Sequence, residues 1–330
     1  MLVLVPALSI AACGGEESGP GAETRLEAVL ATVRTGDPVG TGYGWVDVER
    51  LRETPGRLGD QLSWAADALG PGAREIGRAE SSLNRIGIEP LRTKAMLSTA
   101  TSYALSLRLD GVSTGRFENA LERAGARSRD GGEWTTLALG TEWSIPLGSQ
   151  LEGLGSIVAR SATGESQIVL ARSALARARM LNSGEPAIEA TPIAVAADCL
   201  GNVVAARLVL NNHTHLPNVG PDLLAFGVLQ PGPGPTREVL CVIDESSEPI
   251  DAAHRSLQEA FDADAHDEVS DEPMRTLIMR SHAEAFDREG LRVARAELVL
   301  VPGAEPGLLF AAFSRGSLLT YIGLQRPLGV

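Results

Sequence analysis

The sequence predicts an α+β fold of mostly antiparallel sheets with packed helices, built as one module or as two related ones. Three observations predict it. Strand-like and helix-like runs alternate irregularly, without the regular βαβ units that a doubly wound parallel sheet requires. Short turns such as Thr163-Gly164-Glu165 separate apolar runs at hairpin spacing. The second half of the chain also repeats, loosely, patterns of the first.

The elements follow in order. Leu26, Val29, Leu30 and Val33 recur at helical spacing over 24–35, with Thr24 placed to cap them and Gly36 to end them. YGWVDV (43–48) reads as a strand turning into a short helix. Residues 58–69 read as an amphipathic helix closed by Gly70-Pro71-Gly72. LSLRLD (105–110) is strand-like and leads through GVSTG into a helix-like run. ARSRDGG (126–132) reads as a turn and EWTTLALG (133–140) as a strand. SIVAR (156–160) and QIVLA (167–171) form a hairpin, and Ser173 opens the helix ALARARML. NSGEPAIEATP (182–192) reads as a linker or long loop. VVAARLVL (203–210), LLAFGVL (223–229) and REVLCVI (237–243) read as strands, with PGPGP (231–235) as punctuation. A helix is expected over 250–261, an acidic stretch over 262–273, another helix through Phe286, and strands over 295–301 and 308–314.

Two stretches carry the repeat. LSLRLDGVSTGRFENALERAG resembles VLCVIDESSEPIDAAHRSLQEAF, and IVARSATGESQIVLARSAL resembles LVLVPGAEPGLLFAAFSRGSL. The expected organisation is a signal peptide over 1–12, a modified cysteine and tether over 13–23, and α+β modules over 24–190 and 191–330.

Composition excludes some functions. The 330 residues are 44% hydrophobic and 22% charged, enough to bury a sizeable core. Net charge is −13, and Lys94 is the single lysine. Nucleic acid is repelled by such a chain, and no basic patch serves an anionic membrane surface. Aromatics are only 4%, few for stacking bases.

The first thirteen residues, MLVLVPALSIAAC, place a short apolar stretch and two alanines before Cys13. That is a secretory-signal pattern, too short to span a bilayer. No Lys or Arg precedes Cys13, which points to a start upstream of Met1. The run Ile10-Ala11-Ala12-Cys13 resembles the lipobox of bacterial lipoproteins. With GYGWVDV, CLG (199–201), REVLC (237–241) and SRGSLLTYIG (314–323), the chain resembles exported lipoproteins of GC-rich Gram-positive bacteria. The resemblance implies an address and no chemistry. It implies that Cys13 takes a diacylglyceryl group, that palmitate-type acyl chains anchor it, and that the body sits on the outer face of the cell membrane. Two acyl chains anchor stably where one is marginal. The stretch GGEESGPGAE (14–23) then reads as a flexible tether, roughly 15–20 Å across as a random coil.

With Cys13 modified, Cys199 and Cys241 remain as an even pair, which outside the cytosol favours a disulfide. The alternatives are two buried thiols or a metal site with histidines; no C-x-x-C spacing supports metal.

Candidate chemistry is sparse. GVSTG (111–115) matches G-x-S-x-G with Ser113 as a nucleophile, and five histidines follow it. Its counterpart in the repeat, IDESSEP, keeps Asp and Ser without the glycines. That favours a helix cap by Ser113 or Thr114 over catalysis. His213-x-His215 lacks a third ligand. The carboxylates over 262–273 lack the spacing of a calcium loop. Trp45, Trp64, Trp134 and Trp143 read as core residues or as the lining of a groove. We expect no catalytic residue, no metal and no cofactor. The expected role is a lipid-anchored binding or interaction module, whose partner is an envelope protein or ligand. The alternatives are a carrier of a hydrophobic or lipid ligand, then an exported serine hydrolase.

Overall fold

A computed structural model describes residues 24–33, 42–53, 63–70, 92–100, 105–113, 127–129, 142–144, 158–162, 167–171, 185–210, 221–229, 234–262 and 273–323. It also describes residues 84, 89, 116, 119, 122, 123, 125, 265 and 266.

Helix α1 (Arg25–Ala31) opens with a capping box. The Thr24 hydroxyl accepts the Glu27 N–H at 3.2 Å, and the Glu27 carboxylate accepts the Thr24 N–H. Then come β1 (Gly42–Asp47), α2 (Val48–Glu53), β2 (Ala95–Ala100), β3 (Leu105–Asp110), β4 (Arg127–Arg129), β5 (Glu142–Ser144), β6 (Val158–Ala162) and β7 (Gln167–Ala171). The second half holds α3 (Thr191–Leu200), β8 (Val203–Leu210), β9 (Leu223–Leu229), β10 (Arg237–Asp244), α4 (Ser247–Ala260), β11 (Ile278–Arg288), β12 (Leu291–Leu300), α5 (Leu308–Arg315) and α6 (Ser317–Tyr321).

The fold is α+β. Among the described residues, twelve strands form one sheet in the order β11-β12-β10-β9-β8-β1-β2-β3-β7-β6-β5-β4. Every pairing is antiparallel. Reading outward from the central β1–β8 pair, the two arms follow one plan. Each has a helix, three strands in a meander, then a hairpin whose second strand returns to the third of the meander. One arm runs β1-β2-β3-β7-β6 and the other β8-β9-β10-β12-β11, with β5 and β4 added beyond β6. Because β1 and β8 are antiparallel, a half-turn about an axis between them superposes one plan on the other.

Strand alternation sends side chains to both faces, and both are covered. On one face α1 and α3 pack over Tyr43, Trp45, Leu97, Leu208, Ala225 and Cys241. On the other, α4, α5, α6 and the turn carrying Trp64 pack over Val46, Met96, Leu109, Phe226, Leu240 and Leu298. A bulge between Val203 and Ala205 shifts the alternation, so Val203 serves the first core while Val204 and Ala205 serve the second. Trp45 and Phe226 are 1% and 0% exposed. Such burial stabilises by roughly 1.5–3 kcal/mol per large apolar side chain. At Gly44 a Cβ would lie 2.3 Å from the Ala68 oxygen and 2.7 Å from the Leu69 Cα, so only glycine lets the 66–69 turn sit on β1.

Four sequence expectations are corrected. Residues 278–288, expected within a helix, are strand β11. It pairs with β12 through the two-residue turn Glu289-Gly290, at φ 50° and 81°. Residues 308–314, expected as a strand, are helix α5; a short apolar run does not fix its own period. Residues 191–200, the first of them assigned to the linker, are helix α3, with proline in its first turn. Part of the expected turn 126–132 is strand β4. The expected strand at 133–140 and the helix after Ser173 lie outside the described residues.

Candidate functional site

Cys199 and Cys241 are joined by a disulfide. It ties α3 to the middle of β10 and lies at 6% and 0% exposure within the core under α1 and α3. Cys13 and the tether lie outside the described residues, as do His213, His215 and Trp134.

Ser113 is exposed, at the end of β3 just past Gly111. A cavity of about 160 Å³ beside it is lined by Glu89, Arg92, Gly111, Val112 and Arg116, with no histidine among these. Thr114, Phe117 and Leu121 lie outside the described residues. In the matching stretch of the second arm the capping expectation is corrected. Ser246 stands at the N-cap of α4 without a side-chain capping bond. The Asp244 carboxylate makes the turn instead, accepting the Ser246 N–H at 2.6 Å. At α2 an aspartate caps the helix directly, Asp47 accepting the Arg50 N–H at 3.0 Å. A hydroxyl at Ser246 would cap through the third helical residue, and that residue is Pro249, which has no N–H to give.

Among the described residues, no three His, Cys, Asp or Glu side chains converge as metal ligands. His254 Nε2 lies 3.3 Å from the Ala283 carbonyl of strand β11.

A groove of about 660 Å³ lies on the face covered by α5. Trp64 and Asp67 line it together with residues 300–308. Leu277 and Leu300 contribute apolar surface; Glu305 and Arg315 contribute charge. The volume is within the range of small-molecule and short-peptide sites.

Glu238 shapes the groove from behind. It is 0% exposed, at the start of β10. Its carboxylate accepts the N–H groups of Gly307, Leu308 and Leu309 at 2.6, 2.9 and 2.9 Å. Burial pushes its carboxyl above the ordinary value, and the three amides pull the other way with smaller effect. Gly307 and Leu308 are also groove residues.

Register places this site in the molecule. Val46 near the end of β1 faces Ala205, Ala205 faces Val228, Val228 faces Glu238, and Glu238 faces Leu298. Asp47 and Glu238 therefore lie at one end of the sheet. Arg25 binds Asp47 there at 2.9 Å, so the chain leaves residue 24 at the end where the groove lies, on the opposite face.

Of the groove residues, the sequence singled out only Trp64. Its contacts come from two ends of the chain, and no local pattern joins 63–67 to 276–317. Glu238 carries no signal either, because one Glu at the mouth of an apolar run reads as an exposed strand end.

Compared with protein families, with curated proteins and with solved structures, the chain matches none.

Proposed function

We propose that this chain is an exported lipoprotein, held to the outer face of the cytoplasmic membrane through Cys13, and that its α+β body is a non-enzymatic binding module with the groove as its site. The observation that carries the reading is the buried Cys199–Cys241 disulfide. Such a bond persists in oxidising compartments, whereas the cytosol keeps thiols reduced. Export agrees with the signal-like start, and the lipobox-like Ile10–Cys13 run supplies the anchor.

The groove supports the binding half of the proposal. It combines Trp64, Leu277 and Leu308 with Asp67, Glu305 and Arg315. That lining suits a ligand with both apolar and polar groups better than a bare acyl chain. Its position at the tether end of the sheet favours a ligand presented close to the membrane.

Mass spectrometry of the mature N-terminus from membrane fractions tests the address. The expected first residue is a diacylglyceryl-modified Cys13, and Cys13→Ser releases the protein from the membrane. An unprocessed N-terminus with two free thiols in the cytosol overturns the reading.

A further inference from the structure

Residues 301–307 form a strap from the end of β12 to the start of α5. Both of its glycines have positive φ, Gly303 at 87° and Gly307 at 98°. Only glycine takes such angles at little cost, so both are ready pivots. Upstream the strap is tied by backbone. Val301 donates to the Leu277 oxygen and Ala304 to the Val301 oxygen, each at 3.0 Å. Downstream the tie is the Glu238 side chain, which takes three consecutive N–H groups.

We infer that Glu238 is the clasp of a hinged strap: its carboxylate holds the Gly307–Leu309 amides and thereby fixes the width of the groove. A buried carboxylate is expensive unless compensated. Here part of that cost is offset by the amides at the start of α5, together with that helix's dipole. The dependence runs both ways. The charge is tolerated while the strap is closed, and the strap is closed while the charge accepts its amides. On the two neighbouring strands Glu238 faces only Val228 and Leu298, which offer the carboxylate nothing. The charged groups of the groove are Glu305, on the strap itself, and Asp67 and Arg315 beyond it. An apolar residue at 238 would pack against the core without coupling strand to strap. The pairing therefore gives the groove two settings, one with the carboxylate clasped and one with it turned to water.

The consequence for ligand entry rests on the groove being the site proposed above; the clasp itself does not. Its test needs no ligand, so its failure leaves the binding reading standing, and the reverse holds too. Amide hydrogen exchange is followed residue by residue in the full chain and in two variants. Glu238→Gln keeps the shape without the charge. Glu238→Asp keeps the charge but falls one methylene short. In both, exchange at Gly307, Leu308 and Leu309 is expected to rise at least about tenfold, with Gly303 to Glu305 following, while Leu240, Val242 and Leu298 keep their protection. The exposed α4 variant Glu259→Gln serves as the control and leaves the strap unchanged. Unaltered protection at Gly307–Leu309 in both variants overturns the clasp. So does a loss spread evenly over β9, β10 and β12, or failure of both variants to fold, because each makes Glu238 a support of the whole sheet.

Discussion

Tyr43 sits on β1 at 2% exposure, and burial pushes its hydroxyl from the ordinary 10.0 up to about 12. The folded chain therefore prefers the neutral phenol more strongly than the unfolded chain does. This contribution is whole below pH 10 and is lost as pH rises toward 12, because the unfolded state releases its proton first. A shift of this size amounts to about 2–3 kcal/mol. Urea midpoints of the wild type and Tyr43→Phe should converge or cross over that window, the variant lacking this slope. Parallel curves would show that the hydroxyl reaches water. The aspartates that end β1 and β10 act at the same scale. Asp47 and Asp244 each accept an N–H two or three residues on. The sequence showed an aspartate at each strand-to-helix step, but not which of Asp and Ser would bind. At α4 the choice is made three residues on, where Pro249 has no N–H for the Ser246 hydroxyl to accept.

At the level of elements, legibility followed the environment of each run. β1, β8, β9 and β10 were readable because short β-branched and aliphatic runs bounded by Gly, Pro or Asp have few alternatives. β11 was not. Its apolar residues are sparse, since it is an edge strand and Met279, Arg280, Ser281 and His282 are exposed in succession on both of its faces. Helix α3 was hidden for the opposite reason: Ile193, Val195, Ala196, Ala197, Cys199 and Leu200 are all buried, so no polar face marks the period. The Cys199–Cys241 bond supplies what this helix lacks in amphipathic pattern, tying it to β10 across 42 residues. Closing a loop of that length is worth about 4 kcal/mol in the chain-entropy picture. The Cys199→Ala/Cys241→Ala double variant should lose roughly that much in denaturant titration, with α3 amides exchanging first. A loss below about 1 kcal/mol would mean that the α3 packing alone holds the element.

For the whole molecule, the doubled plan of the sheet has a physical consequence. The sequence hinted at two related halves through the Asp110 and Asp244 stretches, and these do end equivalent strands, β3 and β10. The second matched pair was out of register, because IVARSATGESQIVLA is the β6–β7 hairpin while LVLVPGAEPGLLFAAF runs from β12 into α5. The halves meet by edge pairing: Tyr43 faces Leu208 and Trp45 faces Ala206. They are also stitched by Arg50, whose guanidinium donates to Asn202 at 2.7 Å and to the Val203 carbonyl at 3.2 Å. One continuous sheet predicts one cooperative unfolding transition for the full chain. A fragment of residues 185–330 would keep β8–β12, the disulfide and helices α3 to α6, but it would bare the long edge of β8. An exposed apolar edge strand recruits another. In the intact chain β8 already pairs antiparallel with its counterpart β1, so a second fragment can take the place of the first arm by the same half-turn. The fragment is therefore expected to run as a folded twofold dimer in light scattering. A folded, monodisperse monomer would mean that the second arm closes its own edge and that the central pairing is incidental to its stability.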